Sequence, residues 1–105
     1  MENTKYQVKI APIATKDLKE IILYINRQNP TAAQNLAQTI RNKIITVLGT
    51  NPYLCPLVTR FPVLMAAGYR RLVVHKNYTV LFVVLGETVE VRHIWHNKRD
   101  FNLLV

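Results

Sequence analysis

Polar and apolar residues alternate along "KYQVKIA", residues 5–11, with Tyr6, Val8 and Ile10 on one side. A two-residue period is that of a strand with one buried face, and Pro12, which has no amide to donate, ends it. In "TKDLKEIILYINRQ" the period lengthens: Leu18, Ile21, Ile22 and Ile25 recur at the spacing of one helix face. Thr15 is expected to cap this helix, with Asp17 set favourably against the positive end of its dipole. Asn29-Pro30 stops it, because a residue before proline avoids the helical region. A second helix is expected from about Thr31 to Leu48. Ala33, Leu36, Ala37, Ile40, Ile44 and Val47 form its buried stripe, and Gly49 suits a left-handed cap. The tight "QNPT" turn makes the two an antiparallel hairpin whose apolar side needs a sheet to cover.

"TNPYLCPLVTRFPVLMAAG" breaks the periodicity. Pro52, Pro56 and Pro62 forbid long regular elements. It is the one long connection in the chain, and loops of that length are often functional. Strands follow: "YRRLVVH" turns near Lys76-Asn77 into "NYTVLFVVL", and Gly86-Glu87 turns that into "TVEVRHIW". The unbroken apolar run "VLFVVL" marks a strand buried on both faces, hence a central one. The predicted architecture is α+β, in the order β-α-α-β-β-β, with the helical hairpin packed on an antiparallel sheet and the first strand at its edge. One domain is expected over residues 1–105.

Charge adds a partner class. The net charge is +8, and no acid stands between Glu20 and Glu87. Arg27, Arg41, Lys43, Arg60, Arg70, Arg71 and Lys76 all fall in that gap. Such a distribution suits nucleic acid, a ribonucleoprotein or an acidic protein; an inert basic surface is the bland alternative. No apolar run approaches the ~18 residues of a membrane span, so no membrane partner is expected. The start lacks the apolar stretch of a signal peptide. Cys55 is the sole cysteine, which forbids an intrachain disulfide and fits the cytoplasm.

Much chemistry is excluded at once. Serine is absent, so a Ser-His-Asp triad is impossible, and no glycine loop for phosphate is present. Cys55, between Leu54 and Pro56, reads as a packed thiol rather than a nucleophile. His93 and His96 have a helical ligand spacing but belong to a strand, which turns them to opposite faces; no metal and no cofactor is expected. That leaves the closing stretch "VEVRHIWHNKRDF". By strand parity Val89, Val91, His93 and Trp95 share one face, and Glu90, Arg92, Ile94 and His96 the other. A single bulge would invert the parity. Either histidine has a bland reading, as a core-edge imidazole or a solvated strand end. Arg70 and Arg71 likewise point to opposite faces, so at most one serves the open face. Asp100 reads as a local partner of Arg99, and Phe101 as an anchor for the tail.

Taken in order, "DLKEIILYI", "NPTAA", "YRRLVVHKNYTVLF" and the tail His96, Arg99, Asp100 resemble the RelE/ParE superfamily of toxins from bacterial type II toxin–antitoxin systems. The resemblance spans nearly the whole chain. It implies a fold related to small microbial ribonucleases and a cognate antitoxin as partner. In the RelE branch it implies a toxin that cleaves mRNA on the ribosome. In that branch His96 would transfer protons, and Arg70 or Arg71 with Arg99 would stabilise phosphate charge. Arg60, Lys76, Arg92 and Lys98 would bind nucleic acid. In the ParE branch the resemblance implies a poison of DNA gyrase without nuclease activity. A third possibility is a non-catalytic RNA- or ribosome-binding protein. One departure bears on the choice: many RelE-like nucleases carry an arginine where "NYTVLF" has Thr79. On sequence alone, ribosome-dependent cleavage is the leading expectation and gyrase inhibition the alternative.

Overall fold

The computed structural model describes residues 5–97. Strand β1 (Gln7–Ile10) leads to helices α1 (Pro12–Asn26) and α2 (Pro30–Lys43), a short helix α3 (Pro62–Ala66), and strands β2 (Arg70–Val74), β3 (Tyr78–Leu85) and β4 (Thr88–His96). None of the described helices is long and apolar enough to cross a membrane.

α1 begins four residues earlier than its sequence suggested, with Ala11 rather than Thr15 at the cap position. Proline's fixed φ and missing amide suit the first helical position, so Pro12 starts the helix rather than merely ending the strand. The Thr15 amide donates to the Ala11 carbonyl at 3.1 Å, which puts Thr15 inside the helix and rules it out as the cap. Asp17 therefore lies beyond the first turn and has a different task, described below. The expected stripe holds: Leu18 and Ile21 are buried, while Ile22 and Ile25 pack against the core from its margin.

α2 starts at Pro30 under a cap from Asn29, whose side chain accepts the Ala32 amide at 3.1 Å. Its end widens into π-helical turns over Ile44–Leu48. That widening buries Leu48 fully beside Ile44 and leaves Val47 only partly covered. Gly49 is right-handed (φ −73°, ψ −21°), not the left-handed cap expected. Its carbonyl instead accepts the amides of Lys5 and Tyr6, at 2.9 and 3.0 Å, tying the chain before β1 to the end of the hairpin.

The sheet order is β1-β4-β3-β2. β2, β3 and β4 form the antiparallel meander, with β3 central as its apolar run required. β1 joins the edge at β4 and runs parallel to it, which makes the sheet mixed. Of β1's expected buried face, Tyr6 and Val8 pack on the core, but Ile10 is exposed where the chain leaves the sheet for α1. Gly86-Glu87 is a two-residue hairpin turn, with Gly86 at φ 64°. The β2–β3 turn uses left-handed His75 and Lys76, one residue earlier than read from the sequence.

Two apolar clusters sandwich the sheet. The larger joins Leu18, Ile40 and Ile44 of the helices to Val80, Phe82 and Val91 of the strands. The smaller covers the opposite face, where Val58, Phe61 and Leu64 of the proline-rich connection pack on Leu81 and Trp95. The long connection is thus a partial lid on the outer face of the sheet.

Candidate functional site

The geometry of the closing strand turns on one extra residue. Leu81 pairs with His93 but Phe82 pairs with Val91, so Arg92 is a β-bulge. The bulge inverts the expected parity. Val89, Val91 and Ile94 all join the helix-side core, while Trp95 joins the outer cluster. Arg92 is anchored on the outer side: its Nε donates to Glu90 Oε1 at 2.7 Å, and its guanidinium lies 5.7 Å from the Tyr69 ring centre. The Tyr69 hydroxyl and the Glu90 carboxylate hold its pKa above the usual arginine value.

β1 pairs with β4 only as far as Val91. Beyond it the backbone of β4 would have a bare edge beside α1, and Asp17 fills that gap. Its carboxylate accepts the Ile94 amide at 3.1 Å and stands 3.6 Å from His93 Nδ1. His93 in turn stacks, tilted, on Trp95 with ring centres 5.3 Å apart. Sequence reasoning missed this role; an acid aimed at a backbone amide far along the chain has no local signature.

His96 pairs with Tyr78 in the sheet and meets its ring edge-on at 5.0 Å. Tyr78 belongs to the helix-side core, so His96 lies on that side. Arg70 shares the face of Leu72 and Val74. It donates to the Cys55 carbonyl at 2.7 Å and covers the Tyr53 ring at 4.9 Å, so it braces the connection. Burial pushes the Cys55 thiol pKa up, with Arg70 opposing in part, consistent with a packed thiol. Arg71 takes the outer face and is exposed. Arg60 is on the same side, its guanidinium 5.6 Å from the Phe61 ring centre. Lys76 is exposed at the left-handed turn. Lys98, Arg99, Asp100 and Phe101 lie outside the described residues.

Arg60 and Arg71 flank a pocket of about 340 Å³ on the outer face, floored by Val58, Leu81 and Trp95. Its end is closed by a polar clamp. The buried Thr79 hydroxyl donates to Asn97 Oδ1 at 2.5 Å, and Asn97 Nδ2 donates to the Lys76 carbonyl at 3.0 Å. Thr79, where the resemblance led to an arginine being looked for, is therefore a buried structural threonine. The pocket itself was not foreseen, because its floor belongs to a face that parity had assigned to the wrong residues of β4. The apolar Val58, Phe61 and Leu64 around Pro62 were its only sequence signal.

The fold is similar to solved toxin–antitoxin structures. A chain of a chromosomal ParDE system from P. aeruginosa matches with a TM-score of 0.72 at 18% identity, over 88% of this chain and 96% of that one. A chain of the RelB–RelE antitoxin–toxin complex from Methanococcus jannaschii matches with a TM-score of 0.55, also at 18% identity, over 92% and 99%. No curated protein matches the sequence. The sequence profile of the ParE toxin of the type II toxin–antitoxin system parDE matches residues 8–101, which is nearly the whole chain. The protein thus belongs to the ParE toxin family of type II toxin–antitoxin systems.

Proposed function

We propose that this toxin arrests growth by engaging DNA gyrase, not by cutting mRNA, and that a cognate antitoxin holds it in check. The observation that carries the reading is the division of the candidate chemistry between the two faces of the sheet. Cleaving a ribose–phosphate bond needs a proton-transfer group and a cation converging on one phosphate within hydrogen-bond reach. His96 packs on Tyr78 on the helix side, whereas Arg71 opens onto the outer pocket. Thr79, at the position where the resemblance leads one to look for an arginine, is instead bonded to Asn97. The family match is to the ParE branch, for which the expected target is gyrase. Arg70, on the side of His96, is engaged by the Cys55 carbonyl and the Tyr53 ring, and Arg99 lies outside the described residues. What supports the gyrase reading over the ribonuclease one, which led on sequence, is that the described candidates do not converge on one phosphate.

Pulse-labelling after induction tests the choice in cells. Thymidine incorporation should fall before leucine incorporation. An earlier fall in leucine incorporation, with new 5′ ends in translated mRNA, would restore ribosome-dependent cleavage.

A further inference from the structure

The outer pocket is left without a task by that reading. We propose that the toxin fills it with its own tail: residues 98–105 return over the outer face and seat the Phe101 ring against Leu81 and Trp95, with the Asp100 carboxylate at the cationic rim. The pocket is then a self-binding site, and any ligand for this face competes with the tail. The inference concerns the isolated chain and does not depend on whether gyrase is the target.

Three observations carry it. The first is where the described residues end. They end at Asn97, which lines the pocket. Its amide donates to the Asn77 carbonyl at 2.7 Å, and its side chain is held between the Thr79 hydroxyl and the Lys76 carbonyl. The tail therefore sets out from a fixed point at the pocket's end. The second is reach. Phe101 is four residues on, about 13 Å of extended chain, while a sphere of 340 Å³ is about 9 Å across. A segment tethered this closely is present at an effective concentration in the millimolar range, an advantage that an untethered ligand lacks. The third is complementarity. Val58, Phe61, Leu81 and Trp95 give the pocket its apolar floor and wall, and Arg60 and Arg71 line its rim. The tail, "KRDFNLLV", sets its one acid directly before its one aromatic ring. Neighbours in an extended segment point to opposite sides, so a Phe101 ring turned to the floor leaves the Asp100 carboxylate at the level of the guanidinium groups, where an anion gains.

The test is solution NMR of the full chain. In wild type the Phe101 ring protons should give NOEs to the Leu81 methyls and the Trp95 indole; their absence would overturn the inference with no substitution involved. The sequence has one tryptophan, so a single indole N–H resonance reports on the pocket floor. Phe101→Ala should move that resonance and the Leu81 methyls, through loss of the ring current, whereas Leu104→Ala should leave them in place. Equal shifts in both variants, or none in either, would overturn the seating of Phe101. Asp100→Lys should move the same resonances toward their Phe101→Ala positions, more at low salt than at high, because it brings a cation to a cationic rim. Resonances indifferent to Asp100→Lys would overturn the carboxylate contact. NOEs found only between differently labelled chains would make the occupant a second copy and overturn the self-binding site. All of these outcomes leave the gyrase reading untouched.

Discussion

Arg92 decides which side chains of β4 see the helices. Without the bulge, His93 and Trp95 would continue the buried row begun by Val89 and Val91. With it, Ile94 does so, and Trp95 floors the outer pocket. The sequence carried the alternation but not the extra residue, because a bulge costs little locally and is held by partners distant in sequence, here Tyr69 on Arg92 and Asp17 on the Ile94 amide. Asp17 shows the consequence. Asp17→Ala leaves the amide of buried Ile94 without an acceptor and should cost about 1–3 kcal/mol, read as a lower urea midpoint. Asp17→Asn keeps an acceptor oxygen and should lose less; equal losses would remove the hydrogen bond from the explanation. Cys55 offers a pH test. Its folded pKa is raised by burial, so the folded state holds the proton more tightly than the unfolded chain. Its contribution to stability is present below the unfolded thiol pKa and is lost as pH rises through the folded one. Native protein should resist a thiol reagent near neutral pH, and unfolding in urea should expose Cys55 to it; brisk native labelling would contradict the burial.

At the scale of elements, what was legible had a period. The stripes of α1 and α2, the central β3 and the Gly86-Glu87 turn follow from apolar spacing and turn chemistry alone. Ends and joins were not legible. Pro12 both ends a strand and starts a helix, and the π-helical turns after Lys43 arise from packing that no local propensity encodes. The parallel pairing of β1 needed the whole topology, since only the return of β4 beside it sets its direction. Ile40 is wholly buried, so Ile40→Asp should abolish the cooperative melt seen by circular dichroism. Ile22 is at the margin of the core, and Ile22→Asp should be milder though still destabilising. Glu20→Ala and Lys43→Ala are at exposed positions and should stay within about 0.5 kcal/mol of wild type. Similar melting curves for Ile40→Asp and Lys43→Ala would mean the helix faces are assigned wrongly.

The whole molecule is a basic body of net charge +8, with Arg60, Arg71 and Arg92 among the described residues on the open side of its sheet. The polyanionic partner inferred from the acid-free span and the toxin family inferred from motif order agree with each other; the target does not follow from either. On the proposed reading, what separates the branches is side-chain convergence, which here is shaped by the bulge and by Thr79. Induced alone, the protein should arrest growth, and co-expression of the acidic antitoxin should restore it; continued growth with soluble, folded toxin would contradict the family's activity in this member. The most direct measurement compares wild type and His96→Gln in two purified reactions: supercoiling of relaxed plasmid by DNA gyrase, and primer extension on mRNA bound to translating ribosomes. Both proteins should inhibit gyrase to the same extent, and neither should produce a new mRNA end. Wild-type cleavage of ribosome-bound mRNA that disappears in His96→Gln, with gyrase unaffected, would contradict the account.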